Sequence, residues 1–228
     1  MSSNVEGKER EIAKRLLSWW KMSKRDYPWR KETDPYKILI AEIMLQRTKA
    51  NQVMPVYSSF LERFPTPCAL AVARIKDVKD FFRRLGLIWR AEKVRRLGDA
   101  LVANFNSRVP NTREEMLSLP GVGEYAADAV LASAYGKNIA AVDANVCRAI
   151  GRLFGMEARG EARRDPKFRE VARRLVPEGK AKEFNWAMID FAALICKPRN
   201  PRCHVCPFAE LCDYTKKRID VRKFSATC

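Results

Sequence analysis

The chain has 228 residues, 47% of them hydrophobic, enough for one large domain or two small ones. It has no apolar run of about 18 residues, and Met1 to Lys14 lacks a signal-peptide core, which points away from membranes and export and toward the cytoplasm. Its 44 Lys and Arg against 27 Asp and Glu give a net charge of +17, which favours a polyanionic partner, most simply nucleic acid, over an acidic membrane surface.

In chain order, Ile12, Leu16, Leu17, Trp19 and Trp20 recur at helical spacing and predict a first helix from Arg10 to Met22. The Pro-broken connector Arg25-Asp26-Tyr27-Pro28-Trp29-Arg30 follows. Asp34 as cap and Pro35 at the first position open a helix predicted from Tyr36 to Lys49. Within it Glu42 stands in an apolar run, and Gln46, four residues on, shares its face. Thr48, Lys49, Asn51 and Gln52 make the exit polar. Further helices are predicted at about 51–63, 67–72, 75–84 and 90–105, with Gly86 marking a turn.

Asn111-Thr112 followed by Glu114 and Glu115 starts another helix, with Thr112 and Glu115 spaced for a capping box. Pro120 stops it, and the Ala-rich run from Tyr125 to Tyr135 suits the next one. Between them lies Leu119-Pro120-Gly121-Val122-Gly123, where Gly121 and Gly123 permit backbone angles that a Cβ forbids. Such a helix–hairpin–helix can press bare amides against a phosphate at the start of its second helix; an ordinary two-helix turn is the plainer alternative. Val142-Asp143-Ala144-Asn145-Val146 then ends an apolar segment and starts a helix to about Phe154. Helices are also predicted near 166–175 and at 184–195. No convincing period-2 strand, low-complexity tract or repeat occurs, so the fold is all-α. The tail from Lys216 to Cys228 is basic and aperiodic, as a frayed end would be.

Four of the seven cysteines crowd into residues 196–212, and the one histidine, His204, lies among them. Cys196, Cys203, Cys206 and Cys212 read C-x6-C-x2-C-x5-C, a metal site in a reducing compartment rather than a disulfide framework. Spacing alone does not separate zinc from iron–sulfur. A mechanism that needs a histidine base has no residue to use.

The hairpin, the Val-Asp-Ala-Asn-Val segment about twenty residues later and the four-cysteine spacing together resemble the endonuclease III superfamily of DNA glycosylases, over about 10–212. The resemblance implies a six-helix barrel with the helix–hairpin–helix over 26–136. It packs against a second helical domain made of 1–25 and 137–228, which carries an iron–sulfur cluster loop. The cluster implied is [4Fe–4S] rather than zinc. The expected partner is double-stranded DNA with a mismatched or damaged base, bound by a monomer on the nucleoid. Cleaving an N-glycosidic bond develops positive charge on the sugar, which a nearby carboxylate stabilises. Asp143, at a helix N-terminus that favours negative charge, corresponds to the superfamily's catalytic aspartate, where otherwise it would be a plain cap. Tyr125 stands where bifunctional members carry a lysine that attacks the sugar and cuts the strand through a Schiff base. A phenol cannot form that imine, so base release should leave an abasic site. Glu42, on an apolar face where burial favours the protonated acid, is the expected proton donor, a buried structural acid being the alternative. Gln46 and Arg47 lie where the superfamily fills the gap left by a flipped base. Lys49, Leu119, Gly121, Val122 and Gly123 complete the expected DNA-binding set.

Two subfamilies fit best: mismatch glycosylases that remove thymine or uracil opposite guanine, and adenine glycosylases acting opposite guanine or 8-oxoguanine. Leu45-Gln46-Arg47-Thr48 is intermediate between the Leu-Gln-Gln-Thr of adenine enzymes and the Leu-Arg-Arg-Thr of thymine enzymes. Adenine enzymes usually carry an extra C-terminal domain, for which the residues after Cys212 leave no room, so thymine or uracil is the expected base. A catalytically silent DNA-binding or redox module is the reading from another class; retention of both Glu42 and Asp143 argues against it.

Overall fold

The computed structural model describes residues 2–158 and 161–217, with side chains from residue 6 onward. The predicted fraying from 218 to 228 lies outside the described residues, as does Cys228. The described chain is helical without a strand, and no helix in it is long and apolar enough to cross a membrane. In order, the helices are α1 (Ser2–Ser23), α2 (Pro35–Leu45), α3 (Ala50–Arg63), α4 (Pro67–Ala71), α5 (Ile75–Arg84), α6 (Ala91–Phe105), α7 (Arg113–Ser118), α8 (Glu124–Tyr135), α9 (Ala144–Phe154), α10 (Pro166–Leu175) and α11 (Ala181–Leu194). The chain divides into two compact units, Asp26–Lys137 and a discontinuous one made of Met1–Arg25 with Asn138–Cys228.

In the continuous unit, α2 starts where expected because the Asp34 carboxylate accepts from Tyr36 N at 2.8 Å and Pro35 fills the first position. Ile38 to Met44 are all buried, and so are Ala126 to Ala132 of α8. Helices apolar all round belong at the centre of a core, and these two pack on each other. Glu42 of α2 and Asp128 of α8 are therefore buried acids, 7% and 4% exposed. Phe60 of α3 meets Phe81 and Phe82 of α5 edge to face, which locks those helices together.

The short α4 crosses α6 at Gly98, where a Cβ would lie 2.7 Å from Ala71 N and 3.0 Å from the Leu70 carbonyl carbon. Backbone cannot retreat as a side-chain tip can. Gly98→Ala should therefore lower stability by about 2 kcal/mol, as overpacking does, read as a shift in urea midpoint at unchanged slope. An unshifted midpoint would show that the crossing yields.

In the discontinuous unit, α1 packs on α10 and α11, and α9 packs on the same two helices. The helix predicted from Arg10 begins at Ser2, and Lys8 and Glu9 tie its early turns to the rest of the unit. Lys8 Nζ donates to Leu153 O and to Asp213 Oδ1, each at 2.9 Å, and the buried Glu9 accepts from Arg174 Nε at 2.9 Å. At its far end, the fully buried Asp190 of α11 accepts from Trp20 Nε1 (2.9 Å) and Arg25 Nε (2.6 Å). Helix α11 likewise begins at Ala181, three residues before the predicted start.

Candidate functional site

The α7–α8 hairpin is set from both ends. Thr112 Oγ1 accepts from Glu115 N at 3.4 Å and donates to Glu115 Oε2 at 2.6 Å, so the carboxylate meets the cap hydroxyl rather than the cap backbone of the expected box. Arg113 of α7 donates from Nε to the buried Asp128 Oδ1 at 2.8 Å, fixing the helices to each other. In the loop, Leu119 and Val122 are buried, and Val122 N donates to Leu119 O at 3.2 Å. Gly121 has φ +84, a left-handed value that favours glycine. The expectation for Gly123 is corrected: its φ is −104, which any residue adopts. No atom lies within 4 Å of a Cβ built on Gly123, and α8 has no side-chain cap. Fold and packing leave position 123 free of any need for glycine.

The helix predicted to run to Lys49 stops at Leu45. The cause is Arg90, 3% exposed, whose Nη1 donates to Ile43 O (2.9 Å) and Gln46 O (2.8 Å). With those carbonyls taken, Gln46 turns extended and Arg47 adopts φ +64, an uncommon conformation for a non-glycine residue. Burial, and then the charge of Arg47, holds Arg90 below its usual pKa. Gln46 thus leaves the face of Glu42, and its Nε2 donates to Gly121 O at 3.2 Å, joining this turn to the hairpin. Arg47 and Lys49 point into solvent, and Tyr125 is half-buried in the first turn of α8. The continuous unit thus brings Gln46, Arg47 and the Leu119–Gly123 loop together, with Glu42 and Tyr125 on its two central helices.

In the discontinuous unit, Asp143 caps α9. Its Oδ1 accepts from Asn145 N and Val146 N at 2.8 Å each, and its Oδ2 accepts from Asn145 Nδ2 at 2.7 Å. Asn145 Oδ1 accepts from Arg148 Nη1 at 2.9 Å, while Arg148 Nε donates to Cys196 O at 3.0 Å. The segment before Asp143 hangs on the buried Asn185, which accepts from Ala141 N (3.0 Å) and donates to Ile139 O (2.9 Å). Asn145, Arg148 and Asn185 shape the surroundings of Asp143 in this unit, as Arg90 shapes the Gln46–Arg47 turn in the continuous one, and sequence reasoning singled out none of them for it. Asn185 alone left a trace, a polar side chain among the apolar residues Phe184, Trp186, Ala187 and Met188.

Cys196, Cys203, Cys206 and Cys212 line one cavity with Leu153, Phe191 and Ile195. Arg152 holds its rim, donating from Nη1 to Cys196 Sγ (3.5 Å) and Lys197 O (2.6 Å) while its own carbonyl accepts from Cys212 Sγ (3.3 Å). Burial pushes the Cys206 thiol up to about 12 and raises Cys196 as well. Positive metal charge is what would keep such sulfurs as thiolates. Among the described residues no group of three or more Cys, His, Asp or Glu converges tightly enough to hold a metal ion. Four thiols lining one cavity are a donor set that fits an iron–sulfur cluster. His204 is exposed in the turn Cys203–Val205.

Comparison with known proteins agrees with this geometry. The profile of the HhH-GPD superfamily base excision DNA repair protein matches residues 40–177, and that of the iron–sulfur binding domain of endonuclease III matches residues 196–212. A thymine/uracil-DNA glycosylase of Methanothermobacter thermautotrophicus is 36% identical over 95% of this chain and 99% of its own. A thymine-DNA glycosylase of Aeropyrum pernix is 39% identical over 91% of this chain and 96% of its own. Among solved structures, a thermostable thymine-DNA glycosylase superposes with a TM-score of 0.89 at 36% identity, covering 95% of this chain and 100% of the other.

Proposed function

The chain belongs to the HhH-GPD superfamily of base excision DNA repair proteins, and from that premise we propose that it removes thymine or uracil mispaired with guanine and leaves an abasic site. It is a DNA N-glycosylase with a [4Fe–4S] cluster. The cluster is held, in this reading, by Cys196, Cys203, Cys206 and Cys212, and its contribution when bound is to cross-link the loop that they span. In the reaction the C1′–N bond breaks, water supplies a hydroxyl to C1′, and the base leaves with a proton. Asp143 stabilises the positive charge that develops on the sugar, and Glu42 supplies the proton. Gln46 and Arg47 fill the gap left by the flipped base, with Lys49 beside them on the phosphates. The hairpin from Leu119 to Gly123 holds a phosphate on its amides. Tyr125, lacking an amine, ends the reaction at base release. The enzyme acts as a monomer, in the cytoplasm on nucleoid DNA.

The observation that carries the reading is the Asp143 carboxylate, with both oxygens held by donors and the donor chain itself anchored at Cys196 O. A plain cap needs only the backbone half of that arrangement. Incubating the protein with U·G, T·G, A·G and A·8-oxoguanine duplexes, followed by alkali, tests it. Release from U·G and T·G is expected. Release from the adenine duplexes alone would move the substrate to adenine, and no release from any would leave a silent DNA-binding module.

Two binding measurements follow from the same surface. Neutralising about 5–8 phosphates should make log K fall with log salt at a slope of about −4 to −7; a nearly flat dependence would remove the polyanion from the reading. Gly123→Ala should fold as the wild type does, since nothing in the chain meets the added Cβ. It should nonetheless weaken duplex binding about tenfold by holding a phosphate off the α8 amides, on the scale of one charge-assisted hydrogen bond. Unchanged affinity would mean that no phosphate approaches there.

A further inference from the structure

Glu124 puts a negative charge where a cation would be expected. The chain carries 44 Lys and Arg against 27 Asp and Glu. Yet the residue that follows Gly123 and starts α8 is a glutamate, its side chain 53% exposed. Folding favours it there: α8 has no side-chain cap, and a carboxylate in the first turn meets the positive end of the helix. A phosphate held on the hairpin uses that same end, and two anions there repel each other.

Arg113 does not cancel the charge. Its Nη2 lies 3.5 Å from Glu124 Oε1, but its Nε donates to Asp128 Oδ1 at 2.8 Å. One guanidinium thus serves two carboxylates, and the three side chains together keep one net negative charge. Asp128, 4% exposed, fixes the guanidinium, which in turn holds Glu124 beside the hairpin. The abasic product of base release keeps every phosphate of the substrate. Phosphate contacts are blind to the missing base, so a surface of net charge +17 grips the product through them as it grips the substrate. A local anion loosens that grip.

We propose that Glu124 is an anion set against the phosphate on the hairpin, which weakens the hold on DNA and speeds release of the abasic duplex. The inference rests on the glycosylase reading above. It is tested with Glu124→Gln, which keeps the shape and removes the charge, on a duplex carrying a tetrahydrofuran abasic analogue opposite guanine. At low salt the variant should bind about fivefold more tightly, the scale of two like charges about 4 Å apart in water. One charge changes the long-range field of a strongly basic protein little, so the gain should appear as slower dissociation in a chase with unlabelled duplex. It should fade as salt approaches 1 M, where the Debye length is about 3 Å. Glu124→Asp keeps the charge and should bind within about twofold of wild type. Single-turnover base release from U·G at saturating enzyme should also stay within about twofold, because Glu124 touches no reacting atom. The urea midpoint of Glu124→Gln should not rise, since the helix end loses a favourable charge. A charge that served folding alone would lower that midpoint and leave DNA affinity where it was.

Unchanged or weaker binding by Glu124→Gln, a gain that persists at high salt, or an equal gain in Glu124→Asp overturns the proposal, while the glycosylase reading stands on its own base-release assay. A wild type that neither binds these duplexes nor releases a base overturns both.

Discussion

Asp143→Asn should give a folded, DNA-binding protein whose base release is slower by about 10²–10³-fold, the equivalent of about 3–4 kcal/mol of lost electrostatic stabilisation. An asparagine oxygen can still accept from Asn145 N and Val146 N, so the α9 cap survives. The other half of the side chain fares worse. Its new Nδ2 would face Asn145 Nδ2, a donor against a donor where the wild type has a 2.7 Å hydrogen bond. Asn145 must then turn away and release Arg148. Asn145→Ala separates the two losses: it keeps the charge and removes only the brace, and should cost about tenfold, on the scale of one hydrogen bond to a charged group. Single-turnover rates on a U·G duplex measure both. Turnover near wild type in Asp143→Asn would return Asp143 to an ordinary helix cap.

Tyr125→Lys should gain a reaction. Wild-type protein should release the base, leave the strand intact and form no borohydride-trapped complex, while the variant should nick the strand and be trapped on it. Position 125 lies in the first turn of α8, whose positive end disfavours an ammonium, and the side chain there is half-buried. Both effects lower a lysine's pKa toward the neutral amine that attacks a sugar aldehyde carbon. A trapped wild-type complex would mean that another lysine is the nucleophile, and the exposed Lys49 at the start of α3 is the first to replace. A Tyr125→Lys protein that folds and binds DNA but never cross-links would remove Tyr125 from the sugar's surroundings.

Helix positions were largely legible because their signals are local. Asp34-Pro35, Thr112 and Asp143 each start a helix by capping within a few residues, and the structure keeps all three caps. The four cysteines were legible for the same reason, as a spacing. Where the reading missed, the cause was a partner distant in sequence. Nothing near Leu45 says that α2 should stop, since Arg90 is 47 residues from Ile43 and reads as one more cation among 44. Arg148 looks like any surface arginine until its carbonyl partners, Ala192 and Cys196, fold against it. Gly123 was misjudged for a different reason: a glycine can serve a backbone angle or an open approach, and its letter does not say which.

The Gln46–Arg47 turn owes its shape to a guanidinium on another segment. A bend held from outside constrains the side chains that it displays through the backbone alone: position 47, at φ +64, shuts out β-branched residues but admits glycine or asparagine. Within that limit, exchange of the displayed side chains is decoupled from folding, because one arginine keeps the frame. Replacing the arginine would forfeit that freedom, because the displayed side chains would have to build their own bend.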